Sequence, residues 1–245
     1  MSSLTLHNPH SALAALKTRP DDVLAVEGTS AGGPAWDEVF LMARENQVRV
    51  SKATPKAGGR KPGHKPVRSS ACSATVRPRH SVDLAELFAM VGNEEDHGVW
   101  LALDQIQDPQ NLGAIFRSAA FFGVKGILLT DSRSAPLSST AYDIASGGIE
   151  FVPFSVCSNL ASALKIAKER ELWILGTSEH ESRPLSEIER DRNWLVVLGN
   201  EEKGLRKATL DCCDLTCGIQ SAPGAGVQSL NVSVAAGAIL SHFSV

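Results

Sequence analysis

Three stretches of the chain combine glycine with amide, carboxylate or guanidinium side chains just after short apolar runs, the setting in which a fold presents groups to a ligand. The first follows Val99 to Leu103 and reads Asp108-Pro109-Gln110-Asn111-Leu112-Gly113-Ala114-Ile115-Phe116-Arg117. Gly113 lets another backbone come close, and Asn111 and Arg117 stand nearly two helical turns apart. An arginine on the buried side of a helix beside a strand end suits a phosphate or a carboxylate, because its planar fork engages two oxygens at once. Taken alone, the stretch fits equally well a plainer reading in which Asp108 caps a helix and Arg117 pairs with a carboxylate.

The second stretch, Gly199-Asn200-Glu201-Glu202-Lys203-Gly204-Leu205, follows Trp194 to Leu198, and Leu172 to Leu175 opens in the same way onto Gly176-Thr177-Ser178. The third runs from Ile219 to Ser229 and leads into Leu230-Asn231-Val232-Ser233-Val234-Ala235-Ala236-Gly237, a small-residue helix for which Ser229 is the expected N-cap. Familiar alternatives lack their signatures. No Gly-x-Gly-x-x-Gly follows a strand, and no Gly-Lys-Ser/Thr loop is present, which argues against dinucleotide and P-loop enzymes. Cys212, Cys213 and Cys217 lack the paired spacing of a zinc site, so no metal is expected. The histidines are scattered away from these loops, which disfavours a Ser/His/Asp hydrolase.

The elements that position these groups follow from the apolar pattern. Beyond residue 98, apolar runs (Val99–Leu103, Gly126–Leu129, Phe151–Val156, Leu172–Leu175, Trp194–Leu198) alternate with helical stretches at 111–122, 160–169 and 230–240. That alternation predicts a largely parallel sheet covered on both faces, with ligands bound beyond the carboxyl ends of its strands. The first 50 residues read as α-β-α-β: helices over 10–16 and 35–46, strands over 23–26 and 48–50. A further strand over 71–76 and a helix over 82–90 complete a small first domain, residues 1–90, joined by a linker at 91–98 to a second domain, 99–245.

Charge divides the chain at the same place. Residues 1–90 carry 12 Lys+Arg against 8 Asp+Glu, leaving 12 basic and 19 acidic residues for the remainder. Ser51 to His80 holds Lys52, Lys56, Arg60, Lys61, Lys65, Arg68, Arg77 and Arg79 without one acidic residue, the footprint of a polyanion-binding surface or of a solvated loop. No long apolar run or basic-then-apolar leader is evident and the five cysteines show no framework spacing, so a cytoplasmic protein without a membrane partner is expected.

Together, Asp108 to Arg117, Leu198 to Leu205 and Gln228 to Gly237 resemble, in order and spacing, the three signature motifs of the SpoU (TrmH-like) RNA 2′-O-ribose methyltransferases of the SPOUT superfamily. The N-terminal stretch from His7-Asn8-Pro9 to Leu16 resembles, more loosely, the small ribosomal-protein-like RNA-binding domain of the members that act on ribosomal RNA. The resemblance implies an α/β fold with a C-terminal trefoil knot, S-adenosylmethionine as cofactor and a homodimeric assembly acting on RNA rather than DNA. It implies a catalytic set of Asn111, Arg117, Glu201, Ser229 and Asn231, and a cofactor site lined by Thr177, Gly199, Ile219 and Leu230. The basic tract, with Lys52, Lys56, Arg60, Lys61, Lys65 and Arg68, is then expected to clamp the RNA backbone. The chain departs from the family in Gln220 to Gly226, longer than the usual Pro-Met-type stretch after the position of Ile219. Large-subunit ribosomal RNA is the expected substrate; a transfer-RNA methyltransferase and a non-catalytic RNA-binding or assembly factor are the alternatives.

Overall fold

The computed structural model describes residues 3–28, 32–52, 72–89, 91, 97–178, 183–200, 202–222, 224–227 and 229–244. Among them, two sheets divide the chain. The first is built from β1 (Leu4–Leu6), β2 (Val23–Gly28), β3 (Val50–Ser51) and β4 (Cys72–Val76) in the order β1-β4-β2-β3. Here β2 and β3 run parallel, while β4 is antiparallel to both β1 and β2. Helices α1 (Pro9–Thr18) and α2 (Pro34–Glu45) accompany it. Asn8 caps α1 by accepting a hydrogen bond from the His10 N–H, and Pro9 fills the first helical position, where no N–H is needed.

The second sheet is six-stranded and wholly parallel: β5 (Val99–Leu103), β6 (Gly126–Thr130), β7 (Phe154–Cys157), β8 (Trp173–Thr177), β9 (Trp194–Leu198) and β10 (Leu215–Cys217), ordered β10-β8-β9-β5-β6-β7. Every residue of β6 and β9 is buried, as a sheet covered on both faces requires. On one face Leu101, Ile127, Val196 and Leu198 join the core with α4 (Pro109–Phe121), α5 (Ser139–Ala145) and α9 (Val232–Phe243). On the other, Trp100, Leu128, Ile174 and Leu195 pack with α3 (Leu84–Leu87) and α7 (Leu160–Glu169). Short helices α6 (Gly148–Phe151) and α8 (Lys207–Leu210) complete the set.

The two sheets share one core, which runs from Leu6, Ala12, Leu16 and Val26 into Tyr142, Ile149 and Phe154. Polar contacts fix the junction. The Asp143 carboxylate accepts hydrogen bonds from the His7 and Asn8 N–H groups at 2.9 Å each, and the Ser11 hydroxyl donates to the Tyr142 carbonyl at 2.6 Å. Arg19 grips the buried Glu150 carboxylate with two bonds of 2.7 Å. The Arg79 guanidinium donates to the Ile149 and Val152 carbonyls, and burial lowers its pKa.

Several elements differ from the sequence reading. The expected helix at 82–90 is only the turn Leu84–Leu87, capped by Asp83. The Leu87 carbonyl that a longer helix would need instead accepts the indole N–H of Trp100. The strand expected at 48–50 lies at Val50–Ser51, and β1, β10 and α5 carry too few residues to show a periodicity. No helix among the described residues is long and apolar enough to cross a membrane.

Candidate functional site

Helix α4 carries the first motif. Asp108 caps it, accepting from the Gln110 N–H at 2.8 Å, and Pro109 occupies its first position. A Cβ placed on Gly113 would stand 2.5 Å from the Ala141 carbonyl oxygen and 2.9 Å from the Ile144 Cβ, so α4 and α5 pack as closely as they do only because this residue is glycine. Arg117 corrects the sequence reading. It is exposed rather than on the buried side, because Leu112, Ile115, Phe116 and Ala119 already take the buried faces of α4. Its guanidinium makes no hydrogen bond or ion pair among the described residues and is open to a substrate.

Asn111 is buried, and its side-chain oxygen accepts from the Asn231 amide at 2.9 Å, tying the first motif to the third across 120 residues. Asn231 is also the N-cap of α9, accepting from the Ser233 N–H at 2.9 Å and from the Ser233 hydroxyl at 2.6 Å. The expected cap, Ser229, is exposed two residues earlier; Asn231 takes the position because one amide can satisfy the helix end and Asn111 together.

The second motif closes on itself. Asn200 and Gly204 exchange backbone hydrogen bonds of 3.1 and 2.9 Å, and the Asn200 side-chain oxygen accepts from the N–H groups of Glu202 and Lys203. A Cβ on Gly199 would lie 2.4 Å from the Gly204 carbonyl carbon, so glycine is needed for this closure. The Asn200 amide reaches the Gln105 carbonyl at 2.9 Å. Gln105 in turn donates its N–H to the Thr130 hydroxyl at 3.1 Å, from a left-handed conformation (φ 63°) that a non-glycine residue adopts only when its surroundings hold it there. Beside it, the buried Asp104 carboxylate accepts from the Thr209 hydroxyl at 2.7 Å and pairs with Arg206 at 2.7 Å. Asn200, Gln105 and Asp104 are organising residues that sequence reasoning missed. The available signal was their position, polar side chains within two residues of the ends of β5 and β9.

Thr177, Gly199 and Ile219 stand at or just past the carboxyl ends of the adjacent strands β8, β9 and β10. The Thr177 hydroxyl donates to the Val197 carbonyl at 2.9 Å, Ile219 packs against the core, and Leu230 is half exposed before α9. The structure thus joins Asn111 to Asn231 and aligns Thr177, Gly199 and Ile219 on neighbouring strand ends. Among the described residues, no hydrogen bond or ion pair joins these groups to Arg117, Ser229 or Lys52, all three of which are exposed. Glu201, Lys56, Arg60, Lys61, Lys65 and Arg68 lie outside the described residues.

A family model decides the affiliation: that of the SpoU rRNA Methylase family matches residues 98–241, the whole of the parallel sheet with α4 and most of α9. The chain belongs to this family. Among SpoU relatives it is 42% identical over 141 residues to the 23S rRNA (guanosine-2'-O-)-methyltransferase RlmB of Nitrosomonas europaea, covering 57% of this chain and 53% of that protein. The RlmB of Xylella fastidiosa is 35% identical over 202 residues, 81% of this chain and 78% of that protein. The match thus spans about half the length of the first relative and over three quarters of the second. The fold is that of the SpoU methyltransferase AviRb from Streptomyces viridochromogenes in complex with AdoMet, with a TM-score of 0.79 at 20% identity over 99% of this chain and 89% of that one. An AdoMet-bound rRNA methyltransferase from Sinorhizobium meliloti superposes with a TM-score of 0.76 at 19% identity, over 98% and 86% of the two chains.

Proposed function

We propose that the protein transfers a methyl group from S-adenosylmethionine to the ribose 2′-hydroxyl of a guanosine in large-subunit ribosomal RNA, in the cytoplasm. The single observation that carries the reading is the Asn231 to Asn111 hydrogen bond, which locks the third motif onto the helix bearing the exposed Arg117 in a chain whose relatives are named for this reaction. The cofactor site fits the residues present. Adjacent ends of β8, β9 and β10 offer backbone donors and acceptors with the half-buried Thr177 and Ile219, and Gly199 and Leu230 complete the cradle.

When bound, the cofactor supplies an electrophilic methyl group on a sulfonium. A ribose hydroxyl is a poor nucleophile, so the protein must align the oxygen behind that methyl and stabilise the charge it develops. Arg117, whose guanidinium offers donors and no acceptor, grips the neighbouring phosphate and polarises the 2′-hydroxyl, while a phosphate oxygen or solvent takes the proton. Asn111 and Asn231 hold α4 and α9 in register, and Glu201 and Ser229 complete the catalytic set.

Residues 1–90 serve in this reading as an RNA-binding domain, joined at 91–98 to a methyltransferase domain at 99–245. Lys52, Lys56, Arg60, Lys61, Lys65 and Arg68 neutralise the RNA backbone, and single-stranded or looped RNA is the target because its ribose can be splayed toward the site. A homodimer is supported by Phe121 and Val234, 83% and 56% exposed on the packed helices α4 and α9. A trefoil knot is supported by the strand order: β10 lies outside β8, the segment at 183–185 pairs with Gly218, and the His242 ring of α9 meets the Ile188 carbonyl at 2.9 Å. The test is transfer of labelled methyl from S-adenosylmethionine to total RNA separated by size. Label in large ribosomal RNA that vanishes with Arg117→Ala supports the reading, and label in transfer RNA alone refutes its substrate.

A further inference from the structure

A cavity of about 460 Å³ opens at the carboxyl ends of β5, β6 and β7, away from the β8-β9-β10 end where the cofactor cradle lies. Its volume falls in the range of small-molecule sites, about 300 to 1,000 Å³. Leu103, Ile106, Leu112, Leu129, Leu137 and Phe154 form apolar walls, and Arg79, His80 and Ser81, just after β4, line it as well. Three of the polar lining groups are committed to the protein. The Thr130 and Ser134 hydroxyls bond each other at 2.6 Å, and Arg79 donates to the Ile149 and Val152 carbonyls. His80, Ser81 and Asp131 are exposed and make no side-chain hydrogen bond or ion pair among the described residues; of the described lining, Asp131, directly after β6, is the one carboxylate.

Resting on the methyltransferase reading, we infer that this cavity receives the base of the target nucleotide and that Asp131 reads it as guanine. Apolar walls suit the faces of a planar ring splayed out of an RNA loop. The rim carboxylate is an acceptor with two oxygens and no donor. Of the four standard RNA bases only guanine presents two adjacent donors, N1–H and the 2-amino group, to such a pair. Adenine and cytosine would turn a ring-nitrogen lone pair toward the carboxylate, and uracil offers one N–H between two carbonyls. The position fits the reaction. Leu112 in the wall directly follows Asn111, and Gln105 links Thr130 in the cavity to Asn200 in the second motif. In this reading the ribose of a base held here extends toward the Asn111–Asn231 pair. Asp131 is thus a specificity-determining residue, and the pocket gives a physical basis for a guanosine substrate.

The experiment compares methyl transfer by the full chain and its Asp131→Asn variant to ribosomal RNA carrying guanosine, inosine or adenosine at the modified position. The introduced carboxamide can accept from one donor while donating to a lone pair, which complements adenine. The variant is expected to lose roughly ten- to a hundredfold on guanosine, the worth of a charge-assisted hydrogen bond, while adenosine becomes the better substrate relative to guanosine. Inosine, lacking the 2-amino group, should fall about tenfold for the unmodified enzyme. Binding of S-adenosylmethionine should not change. Transfer to RNA with an unaltered guanosine-to-adenosine preference in the variant would overturn the pocket assignment and leave the methyltransferase reading intact. If the unmodified chain transfers methyl to no RNA, that reading fails, and titration with free guanosine decides the pocket: binding abolished by Asp131→Asn supports it, and no binding or unchanged binding refutes it.

Discussion

Gly113→Ala probes the α4–α5 contact on which the site rests. In an exposed helix interior this change stabilises, by about 0.5 to 1 kcal/mol, because alanine loses less backbone freedom on folding. Here the new methyl would stand 2.5 Å from the Ala141 carbonyl oxygen and 2.9 Å from the Ile144 Cβ, whereas ordinary van der Waals contact begins at 3.4 Å. The nearest obstacle is backbone, which cannot swing aside as a side-chain end can. Helix α5 would have to withdraw by about 0.9 Å, the difference between 3.4 and 2.5 Å, yet Asp143 and the Tyr142 carbonyl bind it to residues 7, 8 and 11. Overpacking of this kind costs about 1 to 3 kcal/mol. Retreat would also strain the docking of the first sheet, so the upper end applies and exceeds the helix-propensity gain. We expect a net loss of about 2 kcal/mol in urea denaturation, equivalent to a midpoint lowered by about 4 to 8 °C. Methyl transfer should fall as well, because α4 carries Asn111 and Arg117. Gly237→Ala on α9 is the control: its Cβ would meet nothing nearer than the Ser118 hydroxyl at 3.9 Å, so the same substitution should stabilise by up to about 1 kcal/mol. Equal or greater stability for Gly113→Ala would refute the reasoning.

Asn231→Ala removes both the α9 cap and the bond to Asn111; we expect about 1 to 2 kcal/mol of destabilisation by urea titration and loss of methyl transfer exceeding any loss of cofactor affinity. Glu150→Gln leaves Arg19 part-buried without its carboxylate and should destabilise by about 3 to 5 kcal/mol, seen as increased hydrogen exchange in α1 and α6. Burial, reinforced by Asp131, pushes the Cys157 thiol up to about 11. A raised folded-state pKa gives stability that is complete below the unfolded value of 9.0 and lost as pH climbs through about 11, so the urea midpoint should decline over that window and Cys157→Ala should flatten the decline.

Much of the candidate site was legible because its residues lie in short, local motifs. The buried strands β5, β6 and β9 appear as unbroken apolar runs, and Asp108, Pro109 and Gly113 announce a capped helix with a close neighbour. Long-range relations were not legible. Nothing local distinguishes Asn231 from Ser229 as the cap of α9, because the deciding partner, Asn111, is 120 residues away. The exposure of Arg117 follows from which faces of α4 meet α5, α6 and α9, and the placement of β10 beside β8 follows from connections that periodicity does not encode. Asp143 and Glu150, which hold the first sheet to the second, look in sequence like ordinary surface acids on short helices. The left-handed Gln105 likewise depends on Thr130 and Asn200, each from a different strand end.

The central claim is that the chain methylates a ribose oxygen of large-subunit RNA, and nucleoside mass spectrometry tests it most directly. Large-subunit RNA lacking the modification is incubated with S-adenosylmethionine and either the unmodified protein or Arg117→Lys, then digested to nucleosides. The account predicts new 2′-O-methylguanosine, with Arg117→Lys strongly impaired because lysine lacks the bidentate fork. A methyl group found on a base, or near-normal formation of 2′-O-methylguanosine by Arg117→Lys, would contradict it.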